Sequence, residues 1–234
     1  MLPVAILAGG LATRLRPMTD RIPKALLRIA GRPFIFHQLD WLKSQGVERV
    51  VLCVGHFGEQ IREQLGDGRE LGLCIGYSFD GDSLLGTGGA LKRALPLLGD
   101  KFFVLNGDSY VRCSLAVVQA AFEASRRPAL MTVLRNDDQW DRSNVRLKDG
   151  VLIEYDKRTR RLGMSHIDFG LSVLCGGLFA KYGDEALDLA DICRDLSIAG
   201  QMAAYEVTER FYEIGSIQGI RETEAFLAQG SGAA

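Results

Sequence analysis

Apolar residues in the first half of the chain fall in short runs that alternate with longer segments of helical spacing. Val4–Leu7 is a strand-like run that stops near Gly9-Gly10. Pro33–Gln45 predicts a helix, with proline at its start and Gly46 just past its end. Arg49–Val54 predicts a β-branched strand, Phe57–Leu65 a short helix, Leu73–Phe79 a strand and Thr87–Leu97 a helix. Phe102–Leu105 predicts a brief buried strand ending at Asn106-Gly107-Asp108. Strands separated by helices of this length imply an α/β fold, a mostly parallel sheet flanked by helices. Ligands of such sheets bind beyond the carboxyl ends of the strands. The polar clusters after Leu7 and after Leu105 both fall at such ends.

The second half changes character. Asn144–Leu147 and Val151–Tyr155 flank Lys148-Asp149-Gly150, which predicts a hairpin. His166–Leu174 reads as a strand, Gly183–Ala199 as a helix, Met202–Val207 as a late strand and Ser216–Leu227 as a closing helix. The small, polar tail Gln229–Ala234 is expected to fray. The pattern gives no repeat, linker or second-domain boundary, so one domain of 234 residues is expected.

Composition removes several classes of function. The formal net charge is −1 and no Lys/Arg block stands out, which argues against nucleic acid or an anionic membrane as partner. The N-terminus lacks a basic n-region, and no run approaches the roughly 18 apolar residues of a membrane span. A cytoplasmic protein is expected. Cys53, Cys74, Cys113, Cys175 and Cys193 are widely spaced without a CxxC pair, and most sit in apolar stretches as small hydrophobes. His37, His56 and His166 show no metal-ligand spacing.

Two clusters carry candidate chemistry. After the first strand, Leu7-Ala8-Gly9-Gly10 leads through Thr13 to Arg14 and Arg16, with Lys24 a short segment later. Paired glycines let backbone N–H groups approach an anion, and guanidinium groups pair with phosphate oxygens. The spacing fits neither GxGxxG nor a P-loop, which disfavours a dehydrogenase or a Walker-type nucleotide site. At the second cluster, Asp108 leaves a buried strand where a carboxylate can bind Mg²⁺, a hard cation that prefers oxygen and retains waters.

The stretch Gly9 to Thr19, followed by Pro23-Lys24, resembles the GGxGTRLxPLT…PK signature of sugar-1-phosphate nucleotidyltransferases. The resemblance continues to about Phe226 and implies that family's Rossmann-like, single-domain fold. It implies a Mg²⁺-dependent enzyme whose partners are a nucleoside triphosphate and a sugar 1-phosphate. Leu7, Ala8, Gly9, Gly10 and Thr13 would grip the triphosphate. Arg14, Lys24 and Asp108 would be the catalytic residues, with Asn106 and Gly107 beside the nucleotide. Phe211-Tyr212-Glu213-Ile214-Gly215 matches (F/Y)xDxG, making Glu213 the second metal ligand with Asp108. Leu85-Gly86-Thr87-Gly88-Gly89-Ala90 matches the segment that packs on the base, through Gly86, Thr87 and Gly88. Lys157 matches the EKP lysine that holds the sugar phosphate, Asp156 stands where that motif's glutamate contacts a sugar hydroxyl, and Asp168 and Gly170 match (V/I)N(A/G)G beside the sugar.

Five positions depart from the family pattern: Ala12 stands for glycine, Glu213 and Asp156 exchange one acid for the other, Asp168 stands for asparagine, and Arg158 stands where the EKP motif has proline. A nucleotide-binding half of about 1–112 and a sugar-phosphate half of about 113–228 follow, in a monomer or homodimer. The length leaves no room for the β-helix acetyltransferase domain of some relatives. Within the family the chain looks most like heptose or mannose 1-phosphate guanylyltransferases. Asp80 and Asp82, ahead of the glycine segment, suit guanine, whose N1–H and N2–H₂ a carboxylate can accept together. Uridylyl- and thymidylyltransferases stay open, as does a catalytically silent nucleotide-sugar sensor, although such a sensor is expected to lose Arg14, Lys24 or Asp108.

Overall fold

Strands that are apolar on both faces belong in the middle of a sheet, where helices cover each side. The computed structural model of the protein describes residues 1–183 and 185–230. Strand β1 (Val4–Leu7) leads through a two-stranded ribbon, β2 (Arg28–Ile29) and β3 (Arg32–Pro33), into helix α1 (Phe34–Ser44). Then β4 (Arg49–Val54), α2 (Gly58–Leu65), β5 (Cys74–Phe79), α3 (Gly86–Leu98) and β6 (Lys101–Asn106) alternate as the pattern predicts. Next come β7 (Ser109–Tyr110), α4 (Leu115–Ser125) and β8 (Ala129–Arg135), then the β9 (Val145–Lys148) and β10 (Val151–Tyr155) hairpin. β11 (His166–Cys175), α5 (Leu189–Ile198), β12 (Met202–Val207), β13 (Tyr212–Glu213) and α6 (Ile217–Gly230) complete the described elements.

β1 pairs in parallel with β4 on one side and β6 on the other, and β5 continues the parallel block beyond β4. β11 lies antiparallel to both β6 and β8, and β12 runs parallel to β8. The sheet is therefore mixed, with its parallel block in the first half. Helices α1, α2 and α4 bury Leu39, Ile61 and Phe122 with Val4, Ile6 and Phe103 on one face. On the other face α3 and α5 bury Leu91, Ala94 and Ile192 with Ala5, Val51 and Phe102. A third cluster packs Leu15, Leu27 and Phe34 against Ile214, Ile220 and Leu227. That cluster fastens the arm after the glycines to the C-terminal helix.

Two expectations need correction. The helix predicted over Gly183–Ala199 begins only at Leu189, with Asp188 as its N-cap. The residues before it form tertiary bonds instead: Leu187 N–H donates to the Leu85 carbonyl, and the Leu187 carbonyl accepts from Gly88 and Gly89. The pattern also predicts no element between 113 and 143, where the structure has α4 and β8. α4 is apolar almost throughout, so its sequence shows no polar face to mark a helical period. The expected fraying concerns a tail of which residues 231–234 lie outside the described residues.

Ala12 adopts φ 49° and ψ 38°, the left-handed region, just before the turn of Thr13–Leu15. A Cβ is disfavoured there by about 1 kcal/mol relative to glycine. Ala12→Gly should therefore raise stability by about 1 kcal/mol in urea unfolding. An unchanged or lower midpoint would show that the loop relaxes to accept alanine.

Candidate active site

The carboxyl ends of β1, β4 and β6 meet at one place because their backbones touch. Ala8 N–H donates to the Cys53 carbonyl at 2.9 Å, and Gly107 N–H donates to the Leu7 carbonyl at 3.1 Å. A Cβ on Gly107 would collide with that same carbonyl, so only glycine admits the contact. Gly9 packs against the exit of β4, where a Cβ would stand 3.0 Å from Gly55 N, whereas Gly10 faces open space. A side chain at the first glycine would crowd the backbone of Gly55, and the second leaves backbone open to a ligand.

The result is a cavity of about 290 Å³. Leu7, Ala8, Gly9 and Gly10 line it from β1, and Asn106, Gly107 and Asp108 from β6. Asp80, Gly86 and Thr87 line it beside α3, and Lys24 and Lys157 add two ammonium groups. Lys24 leaves a turn held by buried Ala25 and Leu26 and places Nζ 2.7 Å from Asp108 Oδ2. Gln38, fully buried on α1, donates from Nε2 to the carbonyls of Asn106 (3.0 Å) and Ser109 (2.7 Å). It thereby fixes the turn that carries Asp108.

Glu213 does not line the cavity but stands next to Asp108. The β7–β13 ladder pairs Glu213 with Ser109, and Ile214 N–H donates to the Asp108 carbonyl at 2.9 Å. A Cβ on Gly215 would collide with Glu213 Oε2 and come within 3.3 Å of Asp108 Oδ2, so both carboxylates face the same small space. The extra methylene of glutamate lets its carboxylate fold back, accepting Gly215 N–H at 2.8 Å and the Ser216 hydroxyl at 3.0 Å.

Asp80 is buried, and burial pushes its carboxyl above the usual range, against the Leu85 N–H and the charge of Arg93. Asp82 is exposed and outside the cavity. Thr13 and Arg14 are likewise exposed on the turn after the glycines. Gly88 faces inward, its N–H committed to Leu187. Cys53 lines the cavity, but burial holds its thiol at a pKa of about 12, which removes it as a nucleophile.

A smaller cavity of about 70 Å³ opens beside the first. Leu7, Thr87, Asn106 and Lys157 line both, while Asp168, Gly170 and Asp188 line only the smaller. Burial raises the carboxyl pKa of Asp168, opposed by the Gly170 N–H at 2.9 Å and by the charge of Lys157. Asp156 points elsewhere. Its Oδ1 accepts the N–H groups of Thr159 and Arg158, both at 2.8 Å, which lower its pKa and order the turn after β10.

Sequence reasoning passes over Gly55, Gln38 and Asp188. Gly55 ends a predicted strand just as the first glycine cluster does, a readable signal. Asp188 precedes an amphipathic run as an N-cap would. Gln38 carries no signal, because only the tertiary approach of α1 to β6 gives its amide partners.

Comparison with known proteins places this geometry in a family. Residues 4–143 match the nucleotidyl transferase family. D-glycero-alpha-D-manno-heptose 1-phosphate guanylyltransferase of Campylobacter jejuni is 32% identical over 76% of this chain and 77% of that protein. N-acetylmuramate alpha-1-phosphate uridylyltransferase of Caulobacter vibrioides is 28% identical over 96% of each chain. The crystal structure of HddC from Yersinia pseudotuberculosis complexed with GMP-PN superposes with a TM-score of 0.79 at 25% identity, over 97% of this chain and 100% of that one. The chain belongs to the nucleotidyl transferase family, among the sugar-1-phosphate nucleotidyltransferases.

Proposed function

We propose that the protein transfers a nucleoside monophosphate, preferably GMP from GTP, to a heptose or hexose 1-phosphate and releases pyrophosphate. The observation that carries this reading is the Lys24–Asp108 pair, 2.7 Å apart in a cavity between an open glycine backbone and the exit of β6. Attack of a sugar 1-phosphate oxygen on the α-phosphorus brings two anions together, so charge and alignment are the main requirements. Lys24 supplies positive charge beside the phosphates. Arg14, exposed on the adjacent turn, reaches toward the triphosphate from the solvent side when nucleotide binds. Lys157, which lines both cavities, holds the sugar phosphate between them.

The residues suit Mg²⁺. Asp108 and Glu213 offer hard oxygens to one space. Such a set leaves positions for water and phosphate oxygens, as Mg²⁺ prefers. Bound there, Mg²⁺ would offset phosphate repulsion and the charge of the departing pyrophosphate. Lys24 must then share Asp108 with the ion and turn its ammonium toward the phosphates.

The guanine preference rests on Asp80, a buried carboxylate at the cavity edge able to accept N1–H and N2–H₂ together. The guanylyltransferase of Campylobacter jejuni lends it support. The uridylyltransferase of Caulobacter vibrioides makes UTP the second reading. Among the described residues no helix is long and apolar enough to cross a membrane.

Asp108→Asn should retain the fold and lower Mg²⁺-dependent pyrophosphate release by about 100-fold or more; near wild-type rates would remove Asp108 from the mechanism. Glu213→Ala should be similarly severe, and Glu213→Asp tolerated. Lys157→Ala should raise KM for the sugar 1-phosphate and leave nucleotide binding nearly intact, while Lys24→Ala should impair the triphosphate side and turnover. Titration showing the reverse would overturn the division of roles. With four triphosphates competing at equal concentration, GTP should be consumed fastest, and Asp80→Asn should erode that preference. A UTP or dTTP preference above about tenfold would refute the carboxylate contact.

A further inference from the structure

The smaller cavity differs from the larger one in the balance of its charges. Its lining sets one lysine, Lys157, against two acidic side chains, Asp168 and Asp188. Its other ionisable groups, Tyr155 and Cys193, are held neutral because burial raises their pKa values. Asp188 is firmly placed: Oδ1 accepts the Thr87 hydroxyl at 2.9 Å and the Ala190 N–H at 3.0 Å, and Oδ2 lies 3.6 Å from Arg158. Asp168 Oδ1 accepts Gly170 N–H at 2.9 Å.

Asp168 is half-buried at the cavity wall, so its carboxyl keeps capacity to accept a donor that a ligand brings. Lys157 faces both cavities, whereas the two carboxylates face only the smaller. A sugar 1-phosphate whose phosphate meets Lys157 in the larger cavity therefore directs its ring toward two acceptors. A ring hydroxyl satisfies them. A carboxylate on the ring brings a further negative charge into a space of about 70 Å³ that already holds two acidic side chains and where burial disfavours an anion.

We infer that Asp168 and Asp188 are specificity-determining residues that admit a neutral, hydroxyl-bearing sugar 1-phosphate and reject one bearing a carboxylate. Asn in place of Asp168 would present a donor as well as an acceptor and would lose this selection. The inference rests on the sugar-phosphate reading above, and it concerns binding, so it can be scored apart from turnover.

Two pairs of probes isolate the charge: glucose 1-phosphate with glucuronic acid 1-phosphate, and mannose 1-phosphate with mannuronic acid 1-phosphate. Binding to the full chain is measured by saturation-transfer NMR and calorimetry, with and without a non-hydrolysable GTP analogue. The neutral member of at least one pair should bind about tenfold or more tightly than its uronic acid, since like-charge contact disfavours the wrong ligand. Asp168→Asn and Asp188→Asn should each shrink that ratio at least threefold. Asp168→Asn should unfold at or above the wild-type temperature at pH 7, because it removes a desolvated charge. If that variant is nonetheless unfolded, Asp188→Asn decides alone, since asparagine still caps α5. Equal or tighter binding of the uronic acids, binding of none of the four, or a ratio unchanged in the folded variants overturns the inference. Pyrophosphate release without discrimination defeats this inference alone. Discrimination without pyrophosphate release defeats the transferase reading instead.

Discussion

The close approach of Gly107 to the Leu7 carbonyl sets the geometry on which the site depends. β1 lies between β4 and β6, so its exit meets the loops that leave both of its parallel neighbours. A side chain at 107 would push the two ends apart. With glycine there, the open backbone of Gly10 and the carboxylate of Asp108 line one cavity. Lys24 reaches Asp108 from a third segment, and the ion pair closes between groups that are each only about a quarter exposed. Partial burial of this kind strengthens a charge pair relative to one on the surface.

Around this contact the supports are mostly backbone. Gln38 grips the carbonyls on either side of Asp108, and the β7–β13 ladder brings Glu213 to the same space. The third hydrophobic cluster joins the arm after the glycines to α6 through Leu15, Ile220 and Leu227. Residues distant in sequence are thus held relative to one another by packing, which resists displacement better than a loop could.

The N-terminus of α3 shows the same economy. Helix N-termini leave N–H groups unpaired and invite an anion. Here the chain supplies its own acceptor, because Leu187 receives Gly88 and Gly89. That segment delivers Asp188 to Thr87 and to the smaller cavity. One connection therefore ties the helix beside the larger cavity to the acidic end of the smaller one.

By itself the sequence determined the alternation of β1, α1, β4, α2, β5, α3 and β6, and the strand-end placement of Gly9, Gly10 and Asp108. Each of these follows from local chemistry: apolar runs, glycine stops and backbone sterics act within a few residues. Tertiary structure decided the rest. The helix predicted from Gly183 yields at Leu187 because bonds to Leu85, Gly88 and Gly89 outcompete another helical turn. Asp156 matches a sugar contact by motif, yet its oxygen is committed to Thr159 and Arg158. Glu213 meets Asp108, and Asp188 meets Asp168, only because strands and helices separated by many residues pack side by side. Local propensity carries no information about such partners, since the energy that selects them appears only when the chain has closed on itself.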